Sequence, residues 1–239
     1  MLRRDDVRRA LIDGMMSPAE REIVSMKTMN HYERMFPLGD PPDYEPEPSA
    51  SIAAVAAREG RDVNEVVYDY LLGNGGRAML YLPFANFVDG TLDVVRSQLT
   101  HPASVSGLSD GGAHVGMVCD MSFPTTLLQW WGRDRPRGRL PLELLVAKQS
   151  RMTAETVGLL DRGVLAPGFR ADVNVIDFDR LALHAPEMRY DLPAGGRRVL
   201  QRATGYLHTF VAGTEIRNHD EPTGATPGRL VRGRRPRPA

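Results

Sequence analysis

The sequence predicts an α/β protein, in which a parallel sheet is covered by helices, followed by a small β subdomain. Helical and strand patterns alternate with short connections between residues 49 and 116, and such alternation is typical of a helix-covered parallel sheet. From residue 161 onwards, turn residues separate segments in which apolar and polar positions alternate, a pattern that indicates half-buried strands. The predicted boundaries are 1–160 for the α/β part, 161–233 for the β subdomain and 234–239 for a basic tail.

Composition restricts the class of partner and the location. The 239 residues carry 30 basic and 30 acidic side chains, so the net charge does not point to nucleic acid or to a membrane surface. Cys119 is the only cysteine, which excludes an intrachain disulfide and a Cys-based zinc site made by this chain alone. No apolar run approaches the roughly 20 residues that span a bilayer, and the charged N-terminus does not resemble a signal peptide. We predict a cytoplasmic protein.

The N-terminal region predicts helices and then an irregular segment. Leu11, Ile12, Met15 and Met16 share one helical face, and Ser17-Pro18 is typical of the start of a second helix. Residues 36–48 contain five prolines in 13 positions, which predicts an extended surface segment or an active-site loop without regular structure.

The next elements alternate. A helix is predicted from Ser49 to Gly60, and a second from Asp62 to about Leu72, with Ser and Asp as caps. A strand is predicted over residues 78–84, because Pro83 suits the end of a strand, and Asn86 follows it. A third helix is predicted between residues 90 and 101.

The stretch from residue 103 to 116 is the most informative part of the sequence. A short apolar-leaning run ends at Ser109-Asp110, and Gly111, Gly112 and His114 follow. A strand that ends at a carboxylate and opens into a glycine-rich turn is how α/β barrels present catalytic groups. The same residues also fit a polar turn, in which Asp110 only accepts hydrogen bonds from nearby backbone N–H groups. Both interpretations stay open at this level.

The following region predicts further helices and then strands. Helices are predicted from Phe123-Pro124, over 142–148 and from Thr153, and strands over 172–178 and 205–214, with a hairpin turn at Ala212-Gly213-Thr214. Charge runs are usually solvated. We therefore predict a solvated face for Arg133, Arg135, Arg137 and Arg139, rather than contact with a carboxylate substrate, and a frayed basic C-terminus.

Three motifs carry a resemblance to a family. Residues 161–178 resemble the segment of metal-dependent amidohydrolases in which the chain leaves the barrel and enters a β-sandwich. Residues 205–213, followed by 223–233, resemble the closing signature of the D-aminoacylase branch, the N-acyl-D-amino-acid deacylases. Residues 109–114 are similar to the end of the last barrel strand in that branch. Three motifs in this order are more specific than any one of them.

The resemblance implies a fold, a reaction and roles for residues. It implies the C-terminal part of a (β/α)8 barrel followed by a small β-sandwich, and zinc-assisted hydrolysis of a linear amide bond, typically in an N-acyl-D-amino acid. Asp110 matches the family's aspartate after the last strand, which binds or approaches the metal and shuttles the proton between water and the leaving nitrogen. His114, with Gly111 and Gly112, would line the substrate pocket.

The sequence also departs from the family pattern. It has no His-x-His pair, and its six histidines are His31, His101, His114, His184, His208 and His219. Because zinc sites need three or four protein ligands, we predict that the isolated chain holds no zinc and is inactive. We expect a C-terminal fragment that needs a missing N-terminal half or a second copy. The alternatives are a non-catalytic remnant or assembly subunit, and a hydrolase of cyclic amides, because a fold does not fix the substrate. Cys119 is predicted to be a small core residue and not a nucleophile.

Overall fold

The protein combines helices and strands in two compact units. The computed structural model describes residues 1–14, 31–83, 85–107 and 116–238. The units are Met1–Val95 and Arg96–Ala239. The sequence-based boundary at residue 161 falls inside the second unit, so that boundary stays a prediction.

The first unit is a small helical core with one short sheet. Its elements are α1 (Asp5–Asp13), β1 (Phe36–Leu38), α2 (Ile52–Glu59), α3 (Val63–Leu71) and β2 (Met79–Tyr81), with 3₁₀ turns at Tyr32–Arg34 and Pro48–Ala50. The core consists of Ile52, Ala56, Val66 and Val67, which are buried where α2 packs on α3. Packing of their apolar faces stabilises two helices that are too short to be stable alone.

Local capping explains where α2 and α3 begin. The Ser51 hydroxyl accepts a hydrogen bond from the Ala54 N–H, and the Asp62 carboxylate accepts from the N–H groups of Asn64 and Glu65. Gly60 ends α2 with a φ of 63°, a left-handed conformation that glycine adopts without a Cβ clash. The two predicted helices are therefore confirmed.

The second unit contains a helical layer and several small antiparallel sheets. Helix α4 (Asp93–Thr100) leads from the first unit into the second. The remaining helices are α5 (Phe123–Thr126), a π-helix (Leu127–Asp134), α6 (Leu142–Gln149) and α7 (Arg151–Thr156), with 3₁₀ turns at Asp120–Ser122 and Pro193–Gly195. The strands are β3 (Val173–Ile176), β4 (Ala182–Leu183), β5 (Glu187–Leu192), β6 (Gly196–Leu200), β7 (Ala203–Thr204), β8 (Tyr206–Val211), β9 (Thr214–Asn218) and β10 (Glu221–Pro222). Leu145 and Leu181 are fully buried in this unit.

The largest sheet has the order β10-β9-β8-β3 and is antiparallel throughout. Strands β3 and β8 confirm the strands predicted from alternating polarity. The hairpin between β8 and β9 turns at Ala212 and Gly213, whose φ angles are 51° and 79°, and Val211 pairs with Thr214. Two positive φ angles in a two-residue loop are typical of a type I′ turn.

Ala212→Asn is expected to stabilise the protein by about 0.5–1 kcal/mol, because asparagine tolerates the left-handed conformation that disfavours alanine. Urea unfolding of the variant and of the parent measures the difference. Ala203→Asn, at a β7 position outside the turn, is the control and should not be stabilising. An Ala212→Asn variant that is less stable than the parent would contradict the turn assignment.

Several expectations from the sequence are wrong. Every strand ladder in the described ranges is antiparallel, so these strands do not form the predicted parallel sheet. Residues 36–38, expected to be irregular, form β1 because they pair with β2. Residues 103–107, expected to form a strand, are irregular.

The C-terminus is also less free than predicted. The Arg235 N–H donates to the Gly158 carbonyl at 2.9 Å, and the Leu160 N–H donates to the Arg235 carbonyl at 3.0 Å. The Arg237 guanidinium contacts the Glu155 carboxylate at 3.0 Å. The expectation of a frayed tail is wrong for Arg235, because its backbone is paired, whereas the Arg237 side chain makes an ion pair and is 59% exposed.

Two further observations complete the fold. The predicted helical positions Met15, Met16 and Ser17-Pro18 lie outside the described residues. In the described ranges, none of the helices has the length and apolar character needed to cross a membrane.

Candidate functional site

The predicted catalytic stretch is only partly described. Residues 108–115, which include Asp110, Gly111, Gly112 and His114, lie outside the described residues. The roles assigned to these four residues therefore stay predictions. The structure does describe the segment that leads into them, residues 101–107, and the side chains that hold it.

A buried lysine anchors this segment. Lys148, on α6, is 2% exposed. Its ammonium group donates to the carbonyls of His101 at 3.3 Å and Ser104 at 2.7 Å, and to the Ser104 hydroxyl at 3.1 Å. A compact ammonium with three donors suits three converging oxygens. Lys148 thus fixes the backbone that precedes the predicted catalytic turn.

His101 stabilises the same segment, residues 101–107, through a local hydrogen bond. Its Nδ1 accepts a hydrogen bond from the Ala103 N–H at 3.2 Å, so a neutral ring carries its proton on Nε2. The Ser104 hydroxyl also lies 2.9 Å from the His101 carbonyl. His101 therefore has a local structural role. Sequence reasoning missed the Lys148 anchor, although Lys148 is one of only two lysines in the chain.

The arginines between residues 133 and 139 divide into two kinds. Arg133 donates to the carbonyls of Asp179 at 3.0 Å and Leu181 at 2.7 Å. Arg135 is 1% exposed, and its guanidinium lies 4.6 Å from the centre of the Trp131 ring. The predicted solvated face is wrong for these two residues, because tertiary contacts enclose them. Arg137 and Arg139 are exposed, as predicted.

The described residues do not fit a metal centre. In the described part of the chain, no three His, Cys, Asp or Glu side chains are close enough together to hold a metal ion. His208 Nδ1 lies 2.6 Å from a Glu215 carboxylate oxygen, and His219 Nδ1 lies 2.7 Å from the Asn218 amide oxygen. The Nδ1 atoms of both histidines therefore form hydrogen bonds with side chains of β9.

Cys119 is half-buried and is not one of the core residues, contrary to the prediction. Its Sγ lies 3.8 Å from the Gln201 amide oxygen. Burial, and to a lesser extent the nearby Asp120 carboxylate, raise the pKa of the Cys119 thiol to about 11. Because the thiolate is the reactive form, Cys119 is not an activated nucleophile.

Alkylation of Cys119 is expected to be slow in the folded protein. At pH 8 the raised pKa lowers the thiolate fraction by about a hundredfold relative to an ordinary thiol. Iodoacetamide labelling, followed by mass spectrometry, measures the rate for native protein and for protein in guanidinium chloride. Equal rates in the two conditions would show that the thiol is accessible and of ordinary acidity.

The first unit contains a separate cavity of about 430 Å³. It lies beside the loop that follows β2, and Asn86, which the sequence places just past that strand, is part of its lining. The other lining residues are Glu33, Arg34, Phe36, Pro48, Ala85, Phe87, Val88, Asp89 and Gly90.

Comparisons with known proteins identify one family. The sequence model described as "Amidohydrolase family" matches residues 44–216. No curated protein matches the chain. Two solved structures of D-aminoacylase are similar over 80% of this chain at 24% identity, with TM-scores of 0.42 and 0.41. One is described as defining a novel subset of amidohydrolases, and the other concerns a binuclear metal centre. The chain spans 36% of the length of each of these structures.

Proposed function

Because the chain belongs to the amidohydrolase family, we propose that it forms part of a hydrolase that cleaves linear amide C–N bonds. The observation that carries this proposal is the family match over residues 44–216, which contains the predicted catalytic stretch. The motifs at 109–114, 205–213 and 223–233 favour an N-acylated D-amino acid as the small-molecule substrate. We place this activity in the cytoplasm.

The proposed architecture is the C-terminal part of a barrel followed by a β-sandwich. The four-stranded sheet β10-β9-β8-β3 supports the sandwich part, because it is antiparallel throughout and β-sandwiches are built from antiparallel sheets. The family match over residues 44–216 supports the barrel part. In this proposal Lys148 and His101 hold the backbone that enters the last barrel loop.

Asp110 is the proposed catalytic residue. A carboxylate can take a proton from the attacking water and deliver it to the leaving nitrogen. Gly111 and Gly112 would let the backbone approach the substrate closely, and His114 would contact the substrate near its carboxylate.

The proposed metal is a divalent ion, and zinc is the ion that the motifs favour. Asp110 is the ligand that we assign from this chain. Because the sequence has no His-x-His pair and a zinc site needs three or four protein ligands, we propose that the metal is not held by this chain alone and that the isolated chain is inactive.

A non-catalytic role is the second candidate. It is favoured by one specific observation: the sequence has no His-x-His pair, and a zinc site requires three or four protein ligands. In this case the chain would be an assembly subunit that keeps part of the family's fold. A cyclic amide is the alternative substrate within the family.

The coding sequence on the 5′ side of Met1, read in all frames, gives the first test. If one frame encodes a His-x-His pair and further histidines, that segment is expressed as one polypeptide with this chain. The joined polypeptide is then assayed with zinc on N-acetyl-D-amino acids, their L-enantiomers and a cyclic amide. We expect hydrolysis of the D-enantiomers by the joined polypeptide and none by the isolated chain.

The outcomes separate the candidates. Substantial hydrolysis by the isolated chain would overturn its proposed inactivity. Preference for the cyclic amide would support the alternative branch. The absence of a histidine-encoding frame, together with no activity, would favour the assembly subunit.

A further inference from the structure

The loop that joins α3 to β2 is a compact turn closed on one oxygen. The Gly73 carbonyl accepts hydrogen bonds from three backbone N–H groups, those of Gly76 at 2.9 Å, Arg77 at 3.2 Å and Ala78 at 3.4 Å. These bonds hold both ends of the turn together. Residues 74–75 therefore form its tip.

The two residues at the tip are open to solvent. Asn74 and Gly75 are exposed, and their φ angles are 48° and 67°. Among the residues that the structure describes, no oxygen accepts a hydrogen bond from the Gly75 N–H. A Cβ built on Gly75 would meet no atom within 4 Å. Neither a hydrogen bond nor a neighbouring atom therefore shields the Gly75 backbone nitrogen.

An asparagine that is followed by glycine is chemically labile. The backbone nitrogen of the following residue can attack the carbon of the asparagine side-chain amide, and glycine hinders this attack least because it has no Cβ. A hydrogen bond from that nitrogen would hold it in place, and Gly75 makes none in the described structure. Asn74 is the only asparagine in the chain that precedes a glycine.

We propose that Asn74 is a site of hydrolytic modification, at which its side-chain amide becomes a carboxylate with water as the co-reactant. The Gly75 nitrogen forms a bond to the Asn74 side-chain carbon Cγ, and the amide NH₂ leaves with the Gly75 proton as ammonia. Water then opens the cyclic imide at one of its two carbonyl carbons. Opening at Cγ gives aspartate, and opening at the main-chain carbon gives isoaspartate. This chemistry does not use Asp110 and is independent of the proposed amide hydrolysis.

The products change the turn in two ways. Both place a carboxylate just beyond the C-terminal end of α3, where the free carbonyl groups carry a partial negative charge and disfavour it. Isoaspartate also inserts one methylene group into the main chain between Gly73 and Gly76, so the bonds to the Gly73 carbonyl no longer fit. We expect faster amide hydrogen exchange at Gly76 and Ala78 in the modified protein.

Incubation of the full chain at mildly alkaline pH tests the proposal. Proteolysis and mass spectrometry follow the gain of about 1 Da that replaces an amide by a carboxyl group. We expect Asn74 to react at least tenfold faster than Asn174 in β3 and Asn218 in β9, which precede valine and histidine. Because the turn leaves the site open, the rate in folded protein should be within about threefold of the rate in guanidinium chloride.

Two matched variants test the attack by the Gly75 nitrogen. Gly75→Ala places a Cβ beside this nitrogen and should slow the reaction of Asn74 about tenfold, in folded protein and in guanidinium chloride. Gly76→Ala adds a Cβ at a position that also has a positive φ and no atom within 4 Å, but it keeps the Asn74-Gly75 pair and should leave the rate unchanged. The proposal would be overturned by an unmodified Asn74, by a Gly75→Ala rate equal to that of the parent, or by a folded rate more than tenfold below the unfolded one.

Discussion

Lys148→Met is expected to destabilise the second unit by about 1.5–3 kcal/mol, the range for hydrogen bonds to a charged group. The substitution removes the ammonium, on a lysine that is 2% exposed, that donates to the carbonyls of His101 and Ser104 and to the Ser104 hydroxyl. The His101 carbonyl keeps the Ser104 N–H and hydroxyl as donors, so the main loss is at the Ser104 carbonyl. The cost is partly offset because methionine has a similar volume and no buried charge to desolvate. Urea unfolding monitored by tryptophan fluorescence gives the change.

Two further variants show whether the effect comes from these hydrogen bonds. Ser104→Ala removes one acceptor of the Lys148 ammonium, so its effect should be smaller, about 1 kcal/mol, and the double variant should be non-additive. Glu143→Gln changes an exposed side chain on the same helix and should stay within about 0.5 kcal/mol of the parent. A Lys148→Met protein as stable as the parent would show that the ammonium does not anchor this segment.

The elements that could be predicted are those specified by neighbouring residues. Helices α2 and α3 have their caps and apolar faces within a dozen residues, and the β8–β9 hairpin has its turn between its strands. Local rules suffice for such elements. Strand β1 could not be predicted, because Phe36–Leu38 pairs with Met79–Tyr81, and no local pattern encodes a partner forty residues away.

The burial of charged residues also depends on contacts with distant parts of the chain and could not be predicted from neighbouring residues. A charge run predicts a solvated surface, but Arg135 is buried against Trp131 and Lys148 is buried against His101 and Ser104. Burial of a charge depends on oxygens or rings that other segments supply. The candidate site is predicted on a different basis. The motif of a carboxylate followed by glycines identifies Asp110 as a residue that could act in catalysis, but it does not predict which side chains surround Asp110.

Asp110→Asn is expected to lower kcat/KM for N-acyl-D-amino-acid hydrolysis by about 10²- to 10⁴-fold in the joined polypeptide, the range that general acid–base groups contribute. The change replaces one oxygen by an NH₂ group of nearly the same size, so folding should be preserved. An amide cannot take the proton from water and return it to the leaving nitrogen. Initial rates on an N-acetyl-D-amino acid, with unfolding measured on the same samples, give the result.

This variant also separates the two interpretations that the sequence leaves open for Asp110. If Asp110 only accepts backbone hydrogen bonds in a polar turn, the asparagine carbonyl can replace it, and turnover should stay within about threefold of the parent. If Asp110 moves the proton, turnover falls while the stability is retained, because the lost group acts in the reaction and not in the fold. Glu143→Gln, which removes an exposed carboxylate, should leave both quantities unchanged. An inactive parent polypeptide would count against the proposed hydrolysis itself, whereas an active parent with an equally active Asp110→Asn variant would count against Asp110 alone.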